Sequence, residues 1–168
     1  LEWVRRNDIS RMVNFSTDEI FGSAPDGVAF SEQSPFRSGN PYSATKAGAV
    51  DLCTAYHNTY GVHVITTNCM IVIGERQSGE KYVPTLVRQI LAGECVTIHA
   101  DPTKTKPARR SYIHARNVWN AIRFLVSNGN PGERYNIVGD REIDCLDLAK
   151  LVAEILGAKL TYEIVDFH

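Results

Sequence analysis

Met12-Val13-Asn14-Phe15-Ser16-Thr17-Asp18-Glu19-Ile20-Phe21-Gly22, followed after a loop by Asn40-Pro41-Tyr42-Ser43-Ala44-Thr45-Lys46-Ala47, decides the fold. Residues 12–16 read as a short strand, and Thr17-Asp18-Glu19 falls where that strand ends, before a loop over 22–27. Asn40 is a good N-cap, and Pro41 suits the first helical position because its missing N–H would have no partner there. A helix is therefore expected over 42–60, with Tyr42 at its mouth and Gly61 at its end. Residues 62–69, rich in β-branched side chains, read as the next strand. Strand, helix and strand in this order imply an α/β chain with a parallel sheet, whose strand ends are where ligands bind.

The residues at that strand end carry chemistry. Tyr42 and Lys46 are spaced to share one face of a helix. A phenol with a pKa near 10 is a poor base at neutral pH, and a neighbouring cation favours its ionised form. A unit charge at about 4 Å, with an effective dielectric of about 20, supplies about 4 kcal/mol, enough for a change of about three pKa units. Alone, Tyr-x-x-x-Lys is common in amphipathic helices and reads first as a packed tyrosine and a solvated lysine; its place at a helix mouth beside a strand end reverses that reading. Asp18 and Glu19 could be an ordinary acidic turn. In a shared site, however, two carboxyls push their pKa values apart, which leaves one as an acid and one as a base.

Beyond residue 70 the pattern becomes mixed. Val83, Leu86, Val87, Ile90 and Leu91 have helical spacing, with Pro84 near the start and Gly93 past the end. Further helices are expected over 117–127 and 144–156, the latter with Asp144 as N-cap and Gly157 beyond its end. Short strands are expected near 96–99, 112–114 and 135–138. Lys104, Lys106, Arg109, Arg110 and Arg116 outnumber Asp101 in the stretch 99–116, which makes either a solvated basic hairpin or a local field suited to a diphosphate.

At 168 residues and 43% apolar content, the chain can bury one good core, or one and a half small domains. A net charge of −1 gives no global field for nucleic acid or an anionic membrane, so neither is expected as a partner. Cys53, Cys69, Cys95 and Cys145 are 16, 26 and 50 positions apart, which matches no metal motif or disulfide framework, so reduced, buried thiols are expected. His57, His63, His99 and His114 lack metal-ligand spacing, and no metal is expected. There is no apolar run of membrane-spanning length and no signal peptide, from which a cytoplasmic setting follows by default. Tyr56, Tyr60, Trp119 and Phe124 occupy helical positions expected to pack a core or an interface.

The two opening motifs, together with Gly79-Glu80-Lys81-Tyr82-Val83-Pro84 and Arg134-Tyr135-Asn136-Ile137-Val138-Gly139, resemble the extended short-chain dehydrogenase/reductases and, within them, the nucleoside-diphosphate-sugar 4,6-dehydratases. The resemblance implies NAD as cofactor and a nucleoside-diphosphate hexose, of the dTDP-glucose kind, as substrate. It assigns catalysis to Thr17, Asp18, Glu19, Tyr42 and Lys46, cofactor contacts to Ser16, Tyr42 and Lys46, and substrate contacts to Asn68, Lys81, Arg110 and Asn136. It divides the chain into 1–70, the C-terminal portion of an NAD-binding Rossmann domain, and 71–168, a small sugar-nucleotide domain. The glycine-rich turn that holds a dinucleotide pyrophosphate is not found in the sequence, so the N-terminal cofactor half is expected to be absent and the isolated chain to be inactive or nearly so. Ala47, Gly48 and Ala49 lie on the helix that forms a homodimer interface in the family's complete enzymes. One position departs from the pattern: Ile71 stands where the family usually has asparagine. A related epimerase or decarboxylase, or a non-catalytic nucleotide-binding or oligomerisation module, remains as an alternative.

Overall fold

A strand that keeps all six residues buried, Val64–Cys69, anchors the first half of the molecule. Near-continuous burial is what a central parallel strand covered on both faces requires. The computed structural model describes residues 1–25 and 27–166; Asp26, within the loop expected over 22–27, lies outside the described residues. In chain order the elements are α1 (Glu2–Arg6), β1 (Met12–Thr17), a 3-10 turn (Asp18–Phe21), α2 (Pro41–Tyr60), β2 (Val64–Cys69), β3 (Ile71–Ile73), α3 (Tyr82–Ala92), β4 (Cys95–Ala100), β5 (Arg109–His114), α4 (Ala115–Asn128), β6 (Arg134–Ile137), β7 (Glu142–Asp144), α5 (Cys145–Leu156) and β8 (Thr161–Asp166).

Two compact units result, Leu1–Met70 with Ala115–Val138, and Ile71–His114 with Gly139–His168. The expected division into 1–70 and 71–168 therefore differs from the contact-based units. Its boundary after Met70 coincides with theirs, but residues 115–138 return to the first unit because β6 pairs with β2. A pairing between segments this far apart leaves no mark in local periodicity.

In the first unit β1, β2 and β6 form a parallel sheet in the order β1-β2-β6. Asn40 opens α2 with a reciprocal capping box to Ser43, and Gly61, in the left-handed region, closes it. The buried face of α2 presents Ala47, Val50 and Cys53. Ala47 and Val50 join Ile20 and Phe21 in a cluster against which Phe30 and Phe36 pack. Ile20 is fully buried, and truncating such a side chain to alanine costs about 2–5 kcal/mol. The 3-10 turn is thus held by the core. Gly22 follows it at φ 75°, where a Cβ would lie 2.4 Å from the Arg37 carbonyl oxygen, so no larger residue fits. On α4, Val118, Ile122 and Leu125 are buried. Trp119 and Phe124 are 61% and 64% exposed, which rules out the core alternative for both.

In the second unit β3 and β5 pair in parallel, β5 and β7 antiparallel, and β4 pairs with β8 in parallel. Leu86 and Ile90 of α3, Val96 and Ile98 of β4, and Ala149 and Ala153 of α5 form its core. Small residues on α5 let the helix lie close to its neighbours.

All four cysteines are free. Cys53 and Cys69 are buried, and burial pushes both thiols up. Cys95 is exposed and Cys145 partly so, which corrects the expectation that all four would be enclosed. Among the described residues no helix is long and apolar enough to cross a membrane.

Candidate active site

Hydrogen bonds tie the turn that carries the acids to the helix that carries Tyr42 and Lys46. β1 ends at Thr17, and its Oγ1 accepts the Glu19 backbone N–H at 3.3 Å, capping the 3-10 turn. The same hydroxyl donates to Asp18 Oδ1 at 3.2 Å. The turn presents Asp18 and Glu19 outward while Ile20 and Phe21 go into the core. Asn40 caps α2 by accepting the Ser43 N–H at 2.8 Å, and its Nδ2 donates to Glu19 Oε2 at 3.0 Å. Lys46 Nζ donates to the Phe15 carbonyl oxygen on β1. The Arg37 N–H donates to the Ile20 carbonyl at 2.8 Å. The head of α2 is thereby tied to the end of β1.

Tyr42 stands in the first turn of that helix and is 54% exposed. Beneath the site lies Cys69, raised first by burial; the charge of Asp18 raises it further and that of Lys46 lowers it. Both charges therefore act on the same end of β2. Thr17, Asp18, Glu19, Tyr42 and Lys46, chosen from the sequence, thus all lie at the junction of β1 and α2.

Beside them runs a row of polar side chains in one register, Ser16 opposite Asn68 and Asn68 opposite Asn136. Ser16 and Asn68 are 7% and 1% exposed. Asn68 Nδ2 donates to Asn136 Oδ1 at 3.0 Å, and Asn136 Nδ2 donates to the Phe30 carbonyl at 3.2 Å. Glu32 Oε1 accepts the Asn136 backbone N–H at 2.9 Å. Ser16 Oγ and Asn68 Oδ1 are enclosed without a hydrogen-bond partner. Such atoms cost about 1–3 kcal/mol each unless something pairs with them, and they sit at the C-terminal ends of parallel strands. Sequence reasoning did not find Glu32, nor the bond from Asn40 to Glu19; the capping signal at Asn40 was legible, its second bond was not.

Lys81 and Arg110 belong to the second unit. Lys81 is the N-cap residue of α3 and makes no side-chain capping bond. Arg110 projects from β5, its Nη1 donating to the Arg109 carbonyl at 2.7 Å, while Arg109 pairs with Glu142 at 3.0 Å. Burial pushes Tyr112 on the same strand up to about 12, against a lowering influence from Arg110. The basic residues of 99–116 are divided among elements: Arg109 and Arg110 lie on β5 and Arg116 on α4. Ile71 on β3 faces Tyr112 in register and is 37% exposed. Among the described residues no group of three or more His, Cys, Asp or Glu is arranged to hold a metal ion.

A parallel sheet whose strand β1 ends at Thr17, followed at once by the Asp18–Glu19 turn and flanked by a helix that carries Tyr42 and Lys46 one turn apart, defines an α/β domain with its polar site at a strand end. Residues 1–138 match the NAD dependent epimerase/dehydratase family, and the chain belongs to that family. Among its relatives, a dTDP-glucose 4,6-dehydratase of Xanthomonas campestris pv. campestris is 32% identical over 151 residues, covering 90% of this chain and 42% of the relative. One from Streptomyces niveus is 34% identical over 158 residues, covering 94% and 46%. The chain thus spans less than half the length of these curated relatives. The crystal structure of a dTDP-glucose 4,6-dehydratase from Bacillus anthracis in complex with NAD aligns with a TM-score of 0.91 at 30% identity, covering 99% of this chain and 53% of that one. A UDP-glucuronic acid 4-epimerase from Bacillus cereus shares the fold, at a TM-score of 0.89 and 22% identity.

Proposed function

We propose that this chain carries the acid/base and sugar-nucleotide portion of an NAD-dependent enzyme that dehydrates a nucleoside-diphosphate hexose of the dTDP-glucose kind to a 4-keto-6-deoxy sugar nucleotide. The observation that carries the reading is the tie between the Asp18–Glu19 turn and the helix of Tyr42 and Lys46. An epimerase working only at C4 needs the phenol and the lysine; a dehydratase needs two further groups to move protons at C5 and at the C6 oxygen. The adjacent carboxyls of Asp18 and Glu19, beside the helix of Tyr42 and Lys46, support the dehydratase reading.

Tyr42, as phenolate, takes the proton of the sugar 4-hydroxyl, with Lys46 as the cation that favours its ionised form and Thr17 hydrogen-bonding the same oxygen. Bound NAD supplies the hydride acceptor at C4 and the donor back to C6. The resulting C4 ketone acidifies the C5 proton, which Glu19 removes, and Asp18 gives its proton to the departing 6-hydroxyl, which leaves as water. Glu19 returns the proton to C5; at the end of the cycle Tyr42 releases the proton it took from the 4-hydroxyl and Asp18 takes one up, which restores both groups. Ser16 Oγ, enclosed and without a partner, fits a cofactor contact beside Tyr42 and Lys46. Asn68 and Asn136 in the first unit, and Lys81 and Arg110 in the second, are assigned to the nucleotide sugar. The complete protein is proposed to act as a homodimer in the cytoplasm, and the 168-residue chain to be inactive or nearly so by itself.

The test is incubation of the full-length protein with NAD and dTDP-glucose, followed by alkali. A 4-keto-6-deoxy product gives a near-ultraviolet absorbance that an epimerised sugar does not; an altered sugar without that absorbance defeats the dehydratase reading in favour of the epimerase. In Glu19→Gln, C4 oxidation is expected to survive while loss of water slows about 10²–10⁴-fold. Dehydration at the parent rate would remove Glu19 as the base.

A further inference from the structure

Asn, Asp and Ser are nearly equivalent helix N-caps, so capping alone does not explain why an amide stands at position 40. An amide differs from a carboxylate in carrying a strong donor next to its acceptor. Here both ends are used: Oδ1 accepts the Ser43 N–H at 2.8 Å, and Nδ2 donates to Glu19 Oε2 at 3.0 Å. Glu19 is exposed, while the backbone beneath it is fixed by the Thr17 hydroxyl and by the fully buried Ile20. The backbone is rigid and the carboxylate would otherwise rotate, so a donor from the neighbouring helix selects its rotamer.

We propose that Asn40 is a positioning residue for dehydration, orienting the Glu19 carboxylate with the same side chain that caps the helix bearing Tyr42 and Lys46. The inference rests on the reading of Glu19 as the base at C5. Its consequence is that the proton-abstracting group and the phenol are registered to each other by one amide. Displacement of a reacting group by about 1 Å costs up to about 10²-fold in rate, so this registration is large enough to measure.

Asn40→Asp keeps the cap and replaces the donor with an acceptor. In the full-length protein with NAD and dTDP-glucose, the kcat for formation of the 4-keto-6-deoxy product is expected to fall about 10- to 100-fold with KM nearly unchanged. C4 oxidation is expected to continue, so reduced cofactor accumulates in a single turnover. An unchanged kcat would overturn the proposal, and so would a parallel loss of C4 oxidation and dehydration, the signature of a merely structural role. A melting cycle decides the contact independently of turnover. The drop in Tm from Asn40→Asp, where two carboxylates meet, should shrink in a Glu19→Ala background; equal drops in both backgrounds would sink the Asn40–Glu19 link. A parent protein that forms no 4-keto product tells against the dehydratase reading instead, and the melting cycle then judges the link by itself.

Discussion

The end of β1 and the arginine strand β5 both carry polar residues assigned to a ligand, yet they are built on opposite principles. At the end of β1, Ser16, Thr17, Ser43 and Asn68 are buried, and short hydrogen bonds fix the groups around them. On β5, Arg109 and Arg110 are exposed, and the pair Arg109–Glu142 leaves its side chains 60% and 55% accessible. An exposed ion pair contributes about 0–1 kcal/mol, whereas an unpaired buried amide costs more than that. The first arrangement suits proton transfer, which tolerates little positional error. The second suits capture of a charged, solvated diphosphate.

The largest effect that would break this contrast is at Tyr42. Tyr42→Phe removes a half-exposed hydroxyl and leaves the capped helix intact, so kcat in the full-length protein should fall about 10²–10⁴-fold with an unchanged Tm. A comparable loss of Tm would mean that the phenol is part of the framework.

A paired comparison sharpens it further. Asn68→Leu replaces an enclosed amide, one of whose atoms lacks a partner, with an apolar group of similar size. If the row Ser16, Asn68, Asn136 serves only the sheet, that change should be close to neutral, apart from freeing Asn136 Oδ1. If the row faces a ligand, binding of NAD or of the nucleotide sugar should weaken about tenfold in calorimetry while Tm holds. Arg110→Lys keeps the charge and loses the planar fork, so KM for the nucleotide sugar should rise several-fold, up to about tenfold, with no change in kcat or Tm. An unchanged KM would remove Arg110 from the diphosphate site.

What the sequence made legible follows the same division. Caps and stop signals placed the helices: Asn40 before α2 with Pro41 at its first position, Gly61 after it, Gly93 after α3, and Asp144 and Gly157 around α5. β3 and β7, of three residues each, are too short to show a period, and β8 exists through its pairing with β4, which local propensity does not report. The residue types of the candidate site were legible because phenol, amine and carboxyls cluster along the chain. The bonds that orient them were not. Glu19 and Asn40 are 21 positions apart, Phe15 and Lys46 are 31, and Glu32 and Asn136 are 104. Only the fold brings those atoms within reach.

The smallest effect separates a fixed polar turn from a site. Asp101, in the turn after β4, accepts backbone N–H groups from Thr105 and Lys106 and the Thr103 hydroxyl. These bonds, the Thr103 hydroxyl first, lower its carboxyl from 3.8 to about 2. A group whose pKa is lower folded than unfolded adds stability that is complete above its unfolded value and disappears as pH falls through its folded value. The gain is therefore present above about pH 4 and gone near pH 2. Asp101 lies at the surface, so screening keeps it slight. Thr103→Val removes the leading cause: the parent should melt slightly higher than the variant at neutral pH, and that gap should narrow as pH drops from about 4 to about 2. A gap that stays constant across the range would mean that Thr103 acts through the backbone of the turn, leaving the Asp101 carboxylate without the part assigned to it.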